Sequence, residues 1–205
     1  MKHQENILVV PEEHFTPNQL STYSDIGYSA LSTLLEHSEL HKRADMEKDP
    51  SYKQIIPYVI VENERGEILT YKRSNKSGEN RLHDMYSIGV GGHLDEITSE
   101  PATKSLDLYF KGMVREIKEE IDYNAPISDF EINATIYDNS NDVGKVHLGV
   151  VSTLKVSSRY FDSHQGETDV LVDREWLSKE ELIKRVDSLE NWSKIIVENN
   201  YQNHL

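Results

Sequence analysis

Cysteine is absent from this chain of 205 residues, which excludes disulfides, thiolate metal sites and cysteine nucleophiles. Long apolar runs are missing too. The longest early one, Ile7-Leu8-Val9-Val10, is broken by Pro11 and followed by Glu12 and Glu13. That is too short for a signal peptide or a membrane span, so a cytoplasmic protein is expected. Positive charge is scarce: 22 Lys and Arg stand against 36 Asp and Glu, a net charge of −14 that repels phosphate backbones over most of the surface. Neither duplex nucleic acid nor a membrane is an expected partner. A phosphorylated small molecule remains open, provided a divalent cation shields it. Internal repeats and low-complexity tracts are also lacking. What is present suffices for folding, because the 37% of hydrophobic residues fall in clustered Ile, Val, Leu and Tyr runs that a disordered chain would not keep.

Two parts are expected, an N-terminal extension over residues 1–50 and a larger domain over residues 51–205. In the first, residues 7–10 suit a strand. Thr16-Pro17 resembles a helix N-cap with proline at the first helical position, and Tyr28, Leu31, Leu34 and Leu35 recur at helical spacing. The charged stretch at residues 40–50 ends in Asp-Pro and reads as a linker or exposed loop. Residues 55–61 and 67–72 then form two strand-like runs around Asn63-Glu64-Arg65-Gly66, the pattern of a β-hairpin. A polar loop at residues 74–84 leads to a short strand at residues 86–92 that ends in glycines.

A helix follows. At about 100° per residue, Leu106, Phe110, Met113, Val114, Ile117 and Ile121 make one packing stripe, while Glu116, Glu119 and Glu120 share a separate face. Gly112 leaves space one turn before those carboxylates, so something is expected to approach there. Strands are expected at residues 130–137 and 143–156 around a hairpin loop, and the last quarter reads as helical. Ser178 and Glu181 suit a capping box, and Trp192, Ile195, Ile196 and Asn199 a terminal helix. Trp176 and Trp192 are expected as its packing anchors.

Three glutamates on one helical face repel one another by a few tenths of a kcal/mol per pair, roughly, and a divalent cation removes that cost. Mg²⁺ takes oxygen ligands, keeps several waters and relies on one or two carboxylates plus substrate phosphates. The glycines of Gly89-Val90-Gly91-Gly92 let the backbone approach an ion or a phosphate without side-chain obstruction.

On these residues the chain resembles the Nudix hydrolase family, whose box reads G-x5-E-x7-R-E-U-x-E-E-x-G-U with U bulky and aliphatic. Arg115-Glu116-Ile117-Lys118-Glu119-Glu120 matches its core, preceded by Gly91-Gly92-His93-Leu94. The match reaches from about Gln54 to about Val186. Lys53-Gln54-Ile55-Ile56-Pro57-Tyr58, together with Tyr86-Ser87-Ile88-Gly89-Val90-Gly91-Gly92-His93, is similar more specifically to the bacterial predicted-phosphoesterase branch. The chain departs from the box in three places. Counted from Gly92, the arginine is displaced from position 106 to 115, an insertion expected as a longer loop through residues 98–103. Counted back from Arg115, Asp107 stands at the glutamate position and Pro101 at the first glycine. Beyond Glu120, Asp122 and Tyr123 replace the glycine and the aliphatic residue.

The resemblance implies a fold of class α/β (α+β), a Nudix-type α/β/α sandwich with a mixed β-sheet, here with a small N-terminal α/β extension. It implies hydrolysis of a phosphoanhydride, either a nucleoside diphosphate linked to another moiety or a related organic pyrophosphate, by in-line attack of metal-activated water. Carried over by position, Glu116, Glu119, Glu120 and the Gly91 carbonyl would hold Mg²⁺ or Mn²⁺, with Glu167 as a further acidic ligand from a later loop. Arg115 would orient the glutamates, and Glu116 is the first choice of general base, ahead of Glu119. Arg73, His93 and Tyr86 are the expected substrate contacts. The alternative is a non-catalytic Nudix-fold sensor that binds a nucleotide-like ligand without turnover. A homodimer joined through the apolar stripe of the N-terminal unit is a further expectation.

Overall fold

The most apolar stretch of the sequence becomes the longest strand, β4 (Tyr52–Asn63), buried without interruption from Lys53 to Val61. A strand so covered carries a continuous apolar run, not an alternating one. The computed structural model describes residues 5–73, 85–95, 105–159 and 171–202. The fold is mixed α/β and divides into two compact units, one of Met1–Tyr58, Gly91–Arg115 and Ile132–Ser152, the other of Val59–Val90, Glu116–Glu131 and Thr153–Leu205. Strands β4 and β9 (His147–Val156) and helix α3 (Ser105–Ile121) each contribute to both.

In the first unit β1 (Asn6–Pro11) runs antiparallel to β3 (Glu39–Lys42) on one side and to β4 on the other, where Val9 faces Gln54. Its four apolar residues, Ile7 to Val10, are all buried. Lys53 is buried as well, its ammonium donating to the Glu12 carboxylate and the Pro50 carbonyl, both at 2.5 Å. Strand β2 (Tyr23–Asp25) pairs with β8 (Phe130–Ile136), and the strand order runs β4-β9-β8-β2. Helix α1 (Tyr28–Leu35) buries Leu31, Leu34 and Leu35 inside the chain, so three of the four residues of the stripe on which a homodimer was expected are covered. Tyr28, exposed at the start of α1, stacks on Phe110 with ring centroids 5.9 Å apart.

In the second unit the order is β10-β5-β4, with β5 (Ile68–Arg73) antiparallel to both neighbours and β10 (Leu171–Leu177) on its far side. The expected hairpin forms, turning through Gly66 at φ 75°, a left-handed angle that glycine adopts without strain. Short strands β6 (Tyr86–Ser87) and β7 (Gly89–Val90) add to β5 and β4. The Ser178–Glu181 capping box opens helix α4 (Lys179–Lys184), and helix α5 (Asn191–Asn200) buries Ile195 and Ile196. Trp176 and Trp192 are half-buried, one on β10 and one in the first turn of α5.

Three local expectations are corrected, and a fourth gains its partner. Thr16-Pro17 opens a turn in which Thr16 and Gln19 exchange hydrogen bonds, and the first α-helix begins only at Tyr28, because the chain is drawn into β2 first. Residues 40–50 are not a linker, since most of β3 and all of helix α2 (Arg43–Met46) lie there and Met46 packs against Ile7 and Val9. The last quarter opens with a strand, β10, before its helices. The space beside Gly112 is filled by Leu94, whose Cδ2 would lie 2.3 Å from a Cβ placed there. The expected loops at residues 74–84 and 98–103 lie outside the described residues.

Candidate active site

Helix α3 is amphipathic in two stages. Leu108, Tyr109, Phe110, Met113, Ile117 and Ile121 are buried, a wider face than the expected stripe, whose outer members Leu106 and Val114 are half-buried. Burial pushes the Tyr109 hydroxyl well above its usual pKa, so it stays protonated. The side of the helix that Leu108, Tyr109 and Gly112 bury in its first half carries Glu119, Glu116 and Glu120 in its second, by the 3.6-residue period. Glu116 and Glu120 are half-buried and Glu119 is exposed. Three carboxylates near a helix C-terminus oppose the helix dipole as well as one another, an arrangement that stability alone does not favour.

The helix leaves through Asp122, whose N–H bonds to the Lys118 carbonyl at 3.0 Å and whose φ is 54°. This is the left-handed C-terminal turn that the family box serves with glycine, kept here with an aspartate whose carboxylate pairs with Lys118.

In the first unit Arg115 ends the segment that begins at Gly91. Its guanidinium donates from Nη1 to Asp95 Oδ2 at 2.9 Å and from Nη2 to the His93 carbonyl at 3.1 Å. Residues 93–95 are in turn held by the N-terminal strand, for Leu8 donates to the Leu94 carbonyl at 2.8 Å and Ile7 bridges to Asp95. Gly91 is required by close approach: a Cβ would stand 1.8 Å from the Pro57 carbonyl oxygen. His93 is half-buried, with Nε2 2.9 Å from Gln54 Oε1 and 3.2 Å from His147 Nε2.

In the second unit Tyr86 is half-buried under the Lys72 ammonium, which sits 4.8 Å from its ring centroid. Arg73 is the last residue of β5, opposite Leu171. Tyr86 also meets α5, its carbonyl accepting from Glu190 N–H at 2.8 Å. Glu167 lies outside the described residues. Asp107, at the box position of the glutamate, is exposed on α3.

The sequence reading missed three residues. Asp95 is the acidic partner of Arg115; it stands four residues beyond Gly91, on the near side of the inserted loop, and reading forward from the Gly-Gly turn would have found it. Gln54 and His147 are brought to His93 by the strand pairing of the first unit and left no local signal. Among the described residues no three His, Asp or Glu side chains are gathered as a ready-made metal cage.

No protein-family model matches the chain. It is 32% identical over 210 residues to protein YmaB of Bacillus subtilis (strain 168), spanning 96% of this chain and 98% of that protein. Among solved structures, Tm1382, provisionally assigned as a Nudix hydrolase, superposes with a TM-score of 0.77 at 28% identity over 95% of this chain and 97% of its own. The Nudix domain of Shewanella oneidensis NrtR, solved with ADP-ribose, superposes with a TM-score of 0.53 at 17% identity over 75% of this chain and 89% of its own. A near full-length likeness joins an intact Arg-Glu-Ile-Lys-Glu-Glu core on α3, and the chain belongs to the Nudix hydrolase family.

Proposed function

We propose that the chain hydrolyses a phosphoanhydride in a nucleoside diphosphate derivative or a related organic pyrophosphate, with Glu116, Glu119 and Glu120 holding Mg²⁺ or Mn²⁺. The observation that supports this most is the C-terminal half of α3, where three carboxylates are set against the helix dipole beside an arginine anchored by Asp95 and the His93 carbonyl. The donor set fits the cation, being all oxygen, with Glu119 exposed and Glu116 and Glu120 half-buried. The lack of a preformed cage among the described residues also suits Mg²⁺, which is commonly held by one or two carboxylates plus substrate phosphates. When bound, such a cation polarises a phosphoryl oxygen and lowers the pKa of water.

The chain's own residues would divide the work. Arg115, tied to residues 93 and 95, sets the position of α3 and therefore of the glutamates one, four and five residues later. A carboxylate oxygen not committed to the cation, with Glu116 as the first choice of residue, would take the proton from the attacking water.

The test is a chromatographic screen for nucleotide products over nucleoside diphosphate derivatives, ADP-ribose among them, dinucleoside polyphosphates and nucleoside triphosphates, with metal and with chelator. Metal-dependent cleavage of one class is expected, with Glu119→Gln and Glu120→Gln each reducing it roughly 100-fold or more. Activity unchanged in both variants on every substrate cleaved overturns the assignment. Tight ligand binding without product selects the sensor instead.

A further inference from the structure

A second set of electron-pair donors converges within the first unit, and it shares no residue with the glutamates of α3. His147 Nδ1 lies 2.7 Å from the Val143 carbonyl oxygen. A carbonyl only accepts, so Nδ1 carries a proton, and in the neutral form of the ring Nε2 presents a lone pair. That lone pair faces His93 Nε2 at 3.2 Å, and His93 Nε2 faces Gln54 Oε1 at 2.9 Å. His93 Nε2 therefore stands within reach of two other electron-pair donors, one an imidazole nitrogen and one an amide oxygen. Gln54 is fully buried, and its Nε2 has no hydrogen-bond partner among the described residues, so the contact with His93 is what orients the amide.

We propose that Gln54, His93 and His147 form a binding site for one borderline divalent cation of the Zn²⁺, Ni²⁺ or Co²⁺ type. The spacing supports it. Ligand atoms about 2.0–2.1 Å from one such ion stand about 3.0–3.4 Å from each other, the range into which the two contacts nearly fall. Imidazole nitrogen selects these ions over Mg²⁺. With the His93 proton moved to Nδ1, all three atoms become ligands and the remaining positions stay open to water or an anion.

The outer contacts are those that fix ligand histidines. His147 donates its other ring nitrogen to a backbone carbonyl, the usual means of setting tautomer and ring orientation at metal sites. The His93 backbone is clamped by Arg115. The rings stand nearly perpendicular, at 76° with centroids 5.3 Å apart, so two nitrogens approach one point without the rings colliding. This inference does not rest on the proposed hydrolysis.

The experiment uses the full chain carrying Glu119→Gln and Glu120→Gln, so that carboxylate binding does not obscure the result. Co²⁺ is titrated in and its visible d–d band followed, then Zn²⁺ is added in competition. One equivalent of Co²⁺ with nitrogen-ligand absorption, displaced by Zn²⁺ and weakened tenfold or more by adding His147→Ala, is expected. An independent readout needs no histidine variant: long-range ¹H–¹⁵N NMR of the imidazoles on adding Zn²⁺ should shift Nε2 of both His93 and His147 to the metal-bound range. Ring nitrogens that do not move at several equivalents of Zn²⁺, or Co²⁺ binding that His147→Ala leaves intact in a folded protein, overturn the proposal.

Discussion

Replacing Asp95 by Asn removes the charge that holds Arg115 while keeping the shape of the side chain, and the structure sets the size of the effect. The pair is mostly shielded, with side-chain exposure of 23% for Arg115 and 10% for Asp95, and its contact is 2.9 Å. Breaking a fully buried pair by removing one partner costs about 3–5 kcal/mol, whereas an exposed pair is worth about 0–1. This pair lies between, and a charge-assisted hydrogen bond lost from it corresponds to about 2 kcal/mol. For a chain of this size that lowers Tm by about 4–8 °C. Arg115→Met keeps the aliphatic stem and loses the guanidinium, with both the Asp95 and the His93 contacts, so it should cost at least as much. Urea unfolding of wild type, both single variants and the double variant closes a mutant cycle, read as shifts in midpoint at constant slope. A coupling energy of about 1.5 kcal/mol is expected, and one below the about 0.3–0.5 kcal/mol scatter of independent sites would refute the reasoning.

Two further predictions follow from the backbone and from titration. Asp122→Gly should raise stability by about 0.5–1 kcal/mol, because glycine takes the left-handed turn without the Cβ penalty and the exposed Lys118 pair it forfeits is worth little; calorimetry showing a lower Tm would contradict this. The Glu64 carboxyl is held down to about 2 by hydrogen bonds from the Ser158 backbone N–H and hydroxyl. Because the folded value lies below the unfolded one, its stabilisation is present above the ordinary Glu range and lost as pH falls toward about 2. The Tm gap between wild type and Glu64→Gln should therefore narrow between about pH 4.5 and pH 2, and a gap that is flat across that window would exclude the linkage.

What the sequence determined by itself is the part written in local periodicity and local chemistry. The apolar run at residues 55–61 read as a strand, Asn63-Glu64-Arg65-Gly66 as the turn of its hairpin, and the period of α3 put three carboxylates on one side of a helix. Ser178 and Glu181 closed their capping box because both halves lie within one helical turn. Where a local signal competed with distant pairing, the distant pairing won. Residues 40–50 read as a charged linker or loop, yet residues 40–42 join β3 because β1 offers its edge. Thr16-Pro17 carried a helix start, yet the chain turns into β2 to meet β8.

Other features belonged to the tertiary structure alone. Gly112 was legible as a gap, but only the packing of Leu94 shows what fills it. Arg115 was legible as a motif residue, while its partner across the inserted loop, and the N-terminal strand that holds that partner, emerged from hydrogen bonds between segments far apart in sequence. Gln54, His93 and His147 stand at separations of 39 and 54 residues and share no periodicity. A period registers which residues share a face of their own element; it carries no record of which other element that face will meet.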